Sequence, residues 1–157
     1  MLRKSNVLAA LIAGFSLFLA APAGAARLTA TESSVLAAVN AARAGYGLGP
    51  LVLDRHLERA ARSHSADMLS RGYFAHGAFS QRLVSFAVTG PVIGENLAWE
   101  SGEPNLAQFV VQAWLHSPEH RANLLRPGYR RIGIGVSSGT FLGHGGAAVV
   151  TADFAGN

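Results

Sequence analysis

His76, Glu95 and His120 each fall in a short piece of sequence that stands apart from its surroundings. These are Gly72-Tyr73-Phe74-Ala75-His76, Gly94-Glu95-Asn96-Leu97-Ala98 and Ser117-Pro118-Glu119-His120. Imidazoles and carboxylates move protons near neutral pH and bind divalent metals. Two histidines and a glutamate on three separate connections are what a site built from converging loops needs. Each piece read alone is a weak signal. The competing account is structural: the three side chains form a hydrogen-bonded network that pins the loops over the core.

The elements that must position these groups are readable in part. Around His120, Ser117 suits a helix N-cap and Pro118 the first helical position. Glu119 and His120 then fall in the first turn, where the helix dipole disfavours a charged imidazole. The helix ending just before Ser117 carries an apolar stripe of Leu106, Phe109, Val110, Ala113 and Trp114, with Pro104 expected in its first turn. Upstream, capping candidates at Thr29 to Glu32 precede Val35, Leu36, Val39 and Ala42, which predicts a first helix from Thr31 to Arg43. Asp54 caps a second helix that runs to about Ser70 and ends at Gly72. Its inner stripe is Leu57, Ala61, His64 and Met68, so His64 is expected buried and hydrogen-bonded, in reach of the site only as supporting structure.

Tyr73 to Pro91 reads as a long loop with a helical turn near Ser80 to Phe86, and Val92 to Ala98 is too mixed to assign. Ile132, Ile134 and Val136 alternate with small residues, and Ala147 to Thr151 forms a second such run. With Gly and Ser between them, the two predict an antiparallel hairpin. Gly143-His144-Gly145-Gly146 is then its turn rather than an oxyanion loop, since no Gly-x-Ser-x-Gly elbow accompanies it. No His-Glu-x-x-His helix occurs either. His56 and His116 are expected on the surface, and Asn96 is expected to serve the backbone around Gly94. Helices first and a hairpin last give an α+β domain with helices packed over a small sheet.

Composition sets the bounds. The chain has 157 residues, half of them apolar, and no cysteine. Arg3 and Lys4 precede an apolar run from Val7 to Ala21, and Ala23-Gly24-Ala25 offers a small-residue cleavage site, the pattern of a secretory signal peptide. That run is shorter than the ~20 residues a spanning helix needs. The expectation is a signal peptide over residues 1–25, a single domain over 26–157, no membrane anchor after cleavage, and a secreted or periplasmic location. Losing Arg3 and Lys4 from 13 basic residues leaves 11 against 9 acidic, a net of +2, too little to imply nucleic acid or an anionic membrane. The remaining arginines are dispersed, which suggests solvated surface. With no disulfide, an exported chain is held by its apolar core alone.

Taken together the pieces resemble the CAP superfamily, the secreted domains shared by cysteine-rich secretory proteins, antigen 5 and plant pathogenesis-related proteins. Within it, the match is to the cysteine-free bacterial branch. The likeness runs from Val39-Asn40-Ala41-Ala42-Arg43 through Ala61 to Met68, Phe74-Ala75-His76, Gly94 to Ala98 and Trp114 to Leu125. It ends with Tyr129 to Gly135 and, loosely, Thr151 to Phe154. The resemblance implies an α-β-α sandwich with a small central antiparallel sheet. It also implies a cleft of two histidines and two acids that can hold a divalent metal, often zinc. Carried over, these are His76, His120 and Glu95, with Ser117 standing where animal members have the second acid. Two imidazoles and one carboxylate leave coordination positions open to water, as in catalytic zinc sites.

The preferred reading is an exported, monomeric binding module. Its cleft of His76, Glu95, His120 and Ser117, supported by His64 and Asn96, takes a small molecule, a lipid-like ligand or an envelope component. The alternative is a metal-assisted hydrolase of peptide, ester or cell-wall substrates, with Glu95 or a histidine handling the proton.

Overall fold

The computed structural model describes residues 27–156; the signal segment expected over residues 1–25 lies outside the described residues. The elements in chain order are α1 (Ala30–Gly45), β1 (Val52–Leu53), α2 (Arg55–Arg71), α3 (Phe79–Ser85), β2 (Ile93–Ser101), α4 (Leu106–His116), α5 (Pro118–Leu124), β3 (Tyr129–Phe141) and β4 (His144–Gly156). The sheet order is β1-β3-β4-β2. The β3–β4 hairpin and the β2–β4 pair are antiparallel, and only β1 runs parallel to its neighbour.

β4 lies inside the sheet, and its residues 147–156 are all buried, so helices must cover both faces. On one face Ile132, Ile134, Val150, Ala152 and Phe154 pack with Val35 and Val39 of α1 and Val110, Val111 and Trp114 of α4. On the other, α2 lies directly on β3. A Cβ at Gly133 would sit 2.0 Å from the Leu57 carbonyl carbon, and one at Gly135 would sit 2.3 Å from that of Ala61. Only two bare backbone positions, both on the same face of the strand, allow that approach. Helices α1 and α4, the sheet, and α2 make the three layers of an α-β-α sandwich.

The helix signals act as read, with shifts at the ends. Thr29 and Glu32 form a reciprocal capping box on α1, Asp54 accepts from the His56 and Leu57 amides, and Gly72 ends α2 in a left-handed conformation at φ 65°. Pro104 lies in a turn before α4 instead of in its first turn, because the helix begins only at Leu106. β2, unassigned from sequence, is a nine-residue strand. β3 and β4 run to 13 residues each, longer than their apolar cores predict.

The arginines are not all solvated surface. Arg43, 1 % exposed, donates to the carbonyls of Gly49, Leu124 and Arg126 and so holds the end of α5 against α1. Arg62 bridges Glu32 of α1 and Glu58 of α2, and Arg131 pairs with Asp54 at 2.6 Å.

Candidate functional site

β2 is an edge strand, and an edge leaves backbone groups unpaired unless something covers them. Here α4 and α5 do so. Trp114 Nε1 donates to the Leu97 carbonyl at 2.9 Å, and Asn123 Nδ2 donates to the Glu95 carbonyl at 3.1 Å. Asn96 Nδ2 donates to the His120 carbonyl at 2.9 Å, so Asn96 ties β2 to the helix that carries His120. Asn96 thus serves the backbone, though that of α5 rather than of the Gly94 turn. Gly94 has its own reason: a Cβ there would meet the Tyr129 hydroxyl at 2.1 Å. Successive residues of β2 point to opposite faces, so Glu95 faces the α2 side while Asn96 faces α5.

Glu95 is 4 % exposed, and both its carboxylate oxygens are engaged. Oε1 accepts from His76 Nδ1 at 2.7 Å, and Oε2 pairs with Arg82 of α3. A carboxylate oxygen accepts, so Nδ1 of His76 carries the hydrogen and Nε2 is the ring nitrogen left over, on a side chain 55 % exposed. Arg82 also donates to the His76 carbonyl at 3.2 Å, fixing the loop from both ends. His64 is buried as its stripe predicted. Its Nε2 donates to the Ala75 carbonyl at 3.0 Å and lies 3.9 Å from Glu95 Oε2. Burial, and next the charge of Arg82, push its pKa down and keep the ring neutral.

His120 is half-buried at the third position of α5. Its pKa is also lowered, first by burial and next by the charge of His76, against a small opposing effect of Glu119. The neutral form expected from the helix start is therefore favoured, with burial and His76 as the leading causes. The charge of His76 is thus felt at His120, across the edge of β2. Ser117 has extended N-cap geometry, but its hydroxyl makes no capping hydrogen bond. His56 and His116 are exposed, as expected.

Two residues were missed. Arg82 sits in a stretch read only as a loop turn. Asp153 is the cross-strand partner of Glu95, fully buried, with neither carboxyl oxygen hydrogen-bonded among the described groups. Burial, then the negative charge of Glu95, raises its pKa well above the ordinary value of 3.8 and favours its protonated form, while Glu95 pairs with the arginine. The signal was present: an acid inside the run Val149 to Phe154, in which Thr151 is the only other polar residue.

A metal held jointly by His76, Glu95 and His120 would compete with the partners already on the Glu95 oxygens. Both are occupied, and among the described residues no group of three or more His, Cys, Asp or Glu side chains is gathered to hold a metal ion. The residues fit a narrower arrangement: two imidazoles, with Glu95 behind His76 in the manner of a carboxylate–histidine–metal relay.

Comparison with known proteins identifies the family. Residues 36–154 match the model of the CAP, cysteine-rich secretory protein, family. The uncharacterised protein YkwD of Bacillus subtilis (strain 168) is 37 % identical over 119 residues, 72 % of this chain and 45 % of YkwD. The uncharacterised membrane protein YlbC of the same organism is 34 % identical over 113 residues, 69 % of this chain and 32 % of YlbC. The chain therefore spans less than half the length of these relatives. Among solved structures, an extracellular SCP-domain protein of Bacillus anthracis superposes with a TM-score of 0.69 at 26 % identity, covering 81 % of this chain and 40 % of that one. An outer surface protein of Borrelia burgdorferi, at 22 % identity and a TM-score of 0.63 over 81 % of this chain and 93 % of its own, shares the fold. A four-stranded sheet between helical layers and a match over residues 36–154 with no cysteine make this chain a member of the CAP superfamily, in its cysteine-free bacterial branch.

Proposed function

We propose that this CAP domain is an exported binding module whose ligand site is the cleft between the 72–78 loop and the start of α5. The observation that carries the reading is the paired fate of the two histidines. Glu95 fixes the His76 ring through Nδ1, and His120 is held neutral at the neighbouring helix start. Two imidazoles set in this way can receive a small polar group or a divalent metal such as zinc, with Glu95 acting behind His76 and not as a direct ligand. Bound there, a metal would supply Lewis acidity and positions open to water. The wider ligand is a small molecule, a lipid-like molecule or an envelope component. Export is supported by extracellular and outer-surface proteins that share the fold. The competing hydrolase reading needs Glu95 as a free base, and both of its oxygens are already committed.

Calorimetric titration of zinc into the folded domain and into a His76→Ala/His120→Ala double variant tests the proposal. A saturable heat in the first and none in the second is expected; equal heats from both would remove the site. Product release from peptide, ester or cell-wall substrates that is lost in Glu95→Gln would favour the hydrolase instead.

A further inference from the structure

Behind Glu95, on the α2 face, a hollow of about 730 Å³ opens between α2, the 72–78 loop and α3. It is within the size range of small-molecule pockets, and its walls mix polar groups with the apolar surfaces of Tyr73, Ala78 and Phe86. α2 presents Ser63, Asp67 and Arg71 at four-residue spacing, which puts them in one row, and α3 presents Gln81 and Arg82 opposite.

The hydrogen-bonding state of these groups is uneven. The Ser63 hydroxyl and the Gln81 amide are exposed, and neither makes a hydrogen bond to any described residue. Arg82 spends its terminal nitrogens on Glu95 and the His76 carbonyl, while its Nε, at the back wall, is buried without an acceptor. Asp67 is fixed in place by the Tyr73 hydroxyl at 2.5 Å and faces Arg71 at only 3.4 Å. The hollow thus holds one fixed acceptor, Asp67, and two groups with donor and acceptor capacity left over, Ser63 and Gln81.

Charge decides the ligand class. Asp67 is matched by Arg71 and Arg82 by Glu95, so the hollow carries no net charge. An anion would meet the Asp67 carboxylate, and a divalent metal would find one carboxylate beside two guanidiniums. A purely aliphatic chain would meet Tyr73, Ala78 and Phe86 but leave Ser63, Gln81 and Asp67 desolvated without partners, which is costly. A neutral ligand dense in hydroxyl or amide groups can pair with each of them.

We propose that the α2–α3 hollow is a binding site for a neutral saccharide, read by Ser63, Asp67 and Gln81. The site is separate from the His76–His120 cleft and does not rest on the function assigned to it; the two share only the support of Arg82 and His64. A saccharide hydroxyl accepts from the Gln81 amide and donates to Asp67, and a second hydroxyl meets Ser63.

The test is a two-dimensional amide NMR titration of the folded domain with maltotriose, cellotriose and triacetylchitotriose as probes, each carried to millimolar concentration. A saturable shift confined to amides of residues 63–86 is expected with at least one probe. Ser63→Ala and Gln81→Ala should each weaken that binding about tenfold, the value of one hydrogen bond to a polar ligand group. Both side chains are exposed and make no internal hydrogen bond, so the melting temperature should hold. No shift with any probe, shifts centred on His76 and His120, or affinities unchanged in both variants would each overturn the assignment.

Discussion

Replacing Gly133 or Gly135 with alanine should be among the most damaging single-methyl changes in this domain. A Cβ at Gly133 would stand 2.0 Å from the Leu57 carbonyl carbon and 2.2 Å from the Glu58 nitrogen. At Gly135 the corresponding atoms are the Ala61 carbonyl carbon and the Arg62 nitrogen, both at 2.3 Å. Ordinary contact begins near 3.4 Å, so α2 must retreat by about 1.4 Å over Gly133. The obstacle is helix backbone, which cannot swing aside as a side-chain tip does. Overpacking of this kind costs about 3 kcal/mol at the upper end of its usual range, and more where backbone must move. For a domain of this size, each kcal/mol is worth roughly 3–5 °C, so a fall in Tm of about 10–15 °C is expected. The retreat also draws His64 from the Ala75 carbonyl, now 3.0 Å away, and loosens the loop that carries His76. Thermal melts of both variants, with Gly145→Ala as control, provide the assay. Gly145 has open space around it and ordinary φ, so its alanine should change stability by less than about 0.5 kcal/mol. Melting of Gly133→Ala and Gly135→Ala within about 2 °C of the parent, or no further than the control, would refute the reasoning.

Trp114→Phe removes the donor that covers the Leu97 carbonyl on the β2 edge and should cost about 2 kcal/mol by urea denaturation; no loss would mean that bond contributes nothing. Arg43→Met leaves the Leu124 and Arg126 carbonyls without their partner and should cost about 2–4 kcal/mol, measured in the same way against the parent. Asp153→Asn tests the buried acid through pH. The folded pKa of Asp153 lies above its ordinary value of 3.8, so the folded state binds the proton more tightly than the unfolded state. Its contribution is present below that ordinary value and is lost as pH rises toward the raised one, and the stability of the parent relative to Asn should fall over that window. A difference between the two that stays flat with pH would show that folding leaves the pKa of Asp153 unshifted and contradict the reading.

How much of this was legible in the sequence varies by element. Local signals were reliable: the Asp54 cap, the Gly72 stop and the Ser117-Pro118 helix start all rest on chemistry within a few residues. β2 was not, because Glu95 and Asn96 are buried polar residues and interrupt the alternation that marks a strand. Their burial is tolerated by partners far along the chain, Arg82 and His76 for one and the His120 carbonyl for the other. The pairing of Asp153 with Glu95 depends on sheet register, which no short window contains. Arg43, read as one more dispersed charge, is buried for the same long-range reason: its carbonyl acceptors at positions 124 and 126 lie some eighty residues away. His76 and His120 were singled out because each sits in a distinctive local setting; the groups that hold them were not, because that support is tertiary.

The central claim is that His76 and His120 face one another at a single cleft, and the most direct measurement of it is the titration of the His120 imidazole by NMR, before and after His76→Gln. His120 should titrate below the usual histidine value of 6.5, and its midpoint should rise when the His76 charge is removed, leaving burial as the remaining depressing influence. A midpoint at or above 6.5, or one that does not move in the variant, would place the two rings in separate environments and contradict the account.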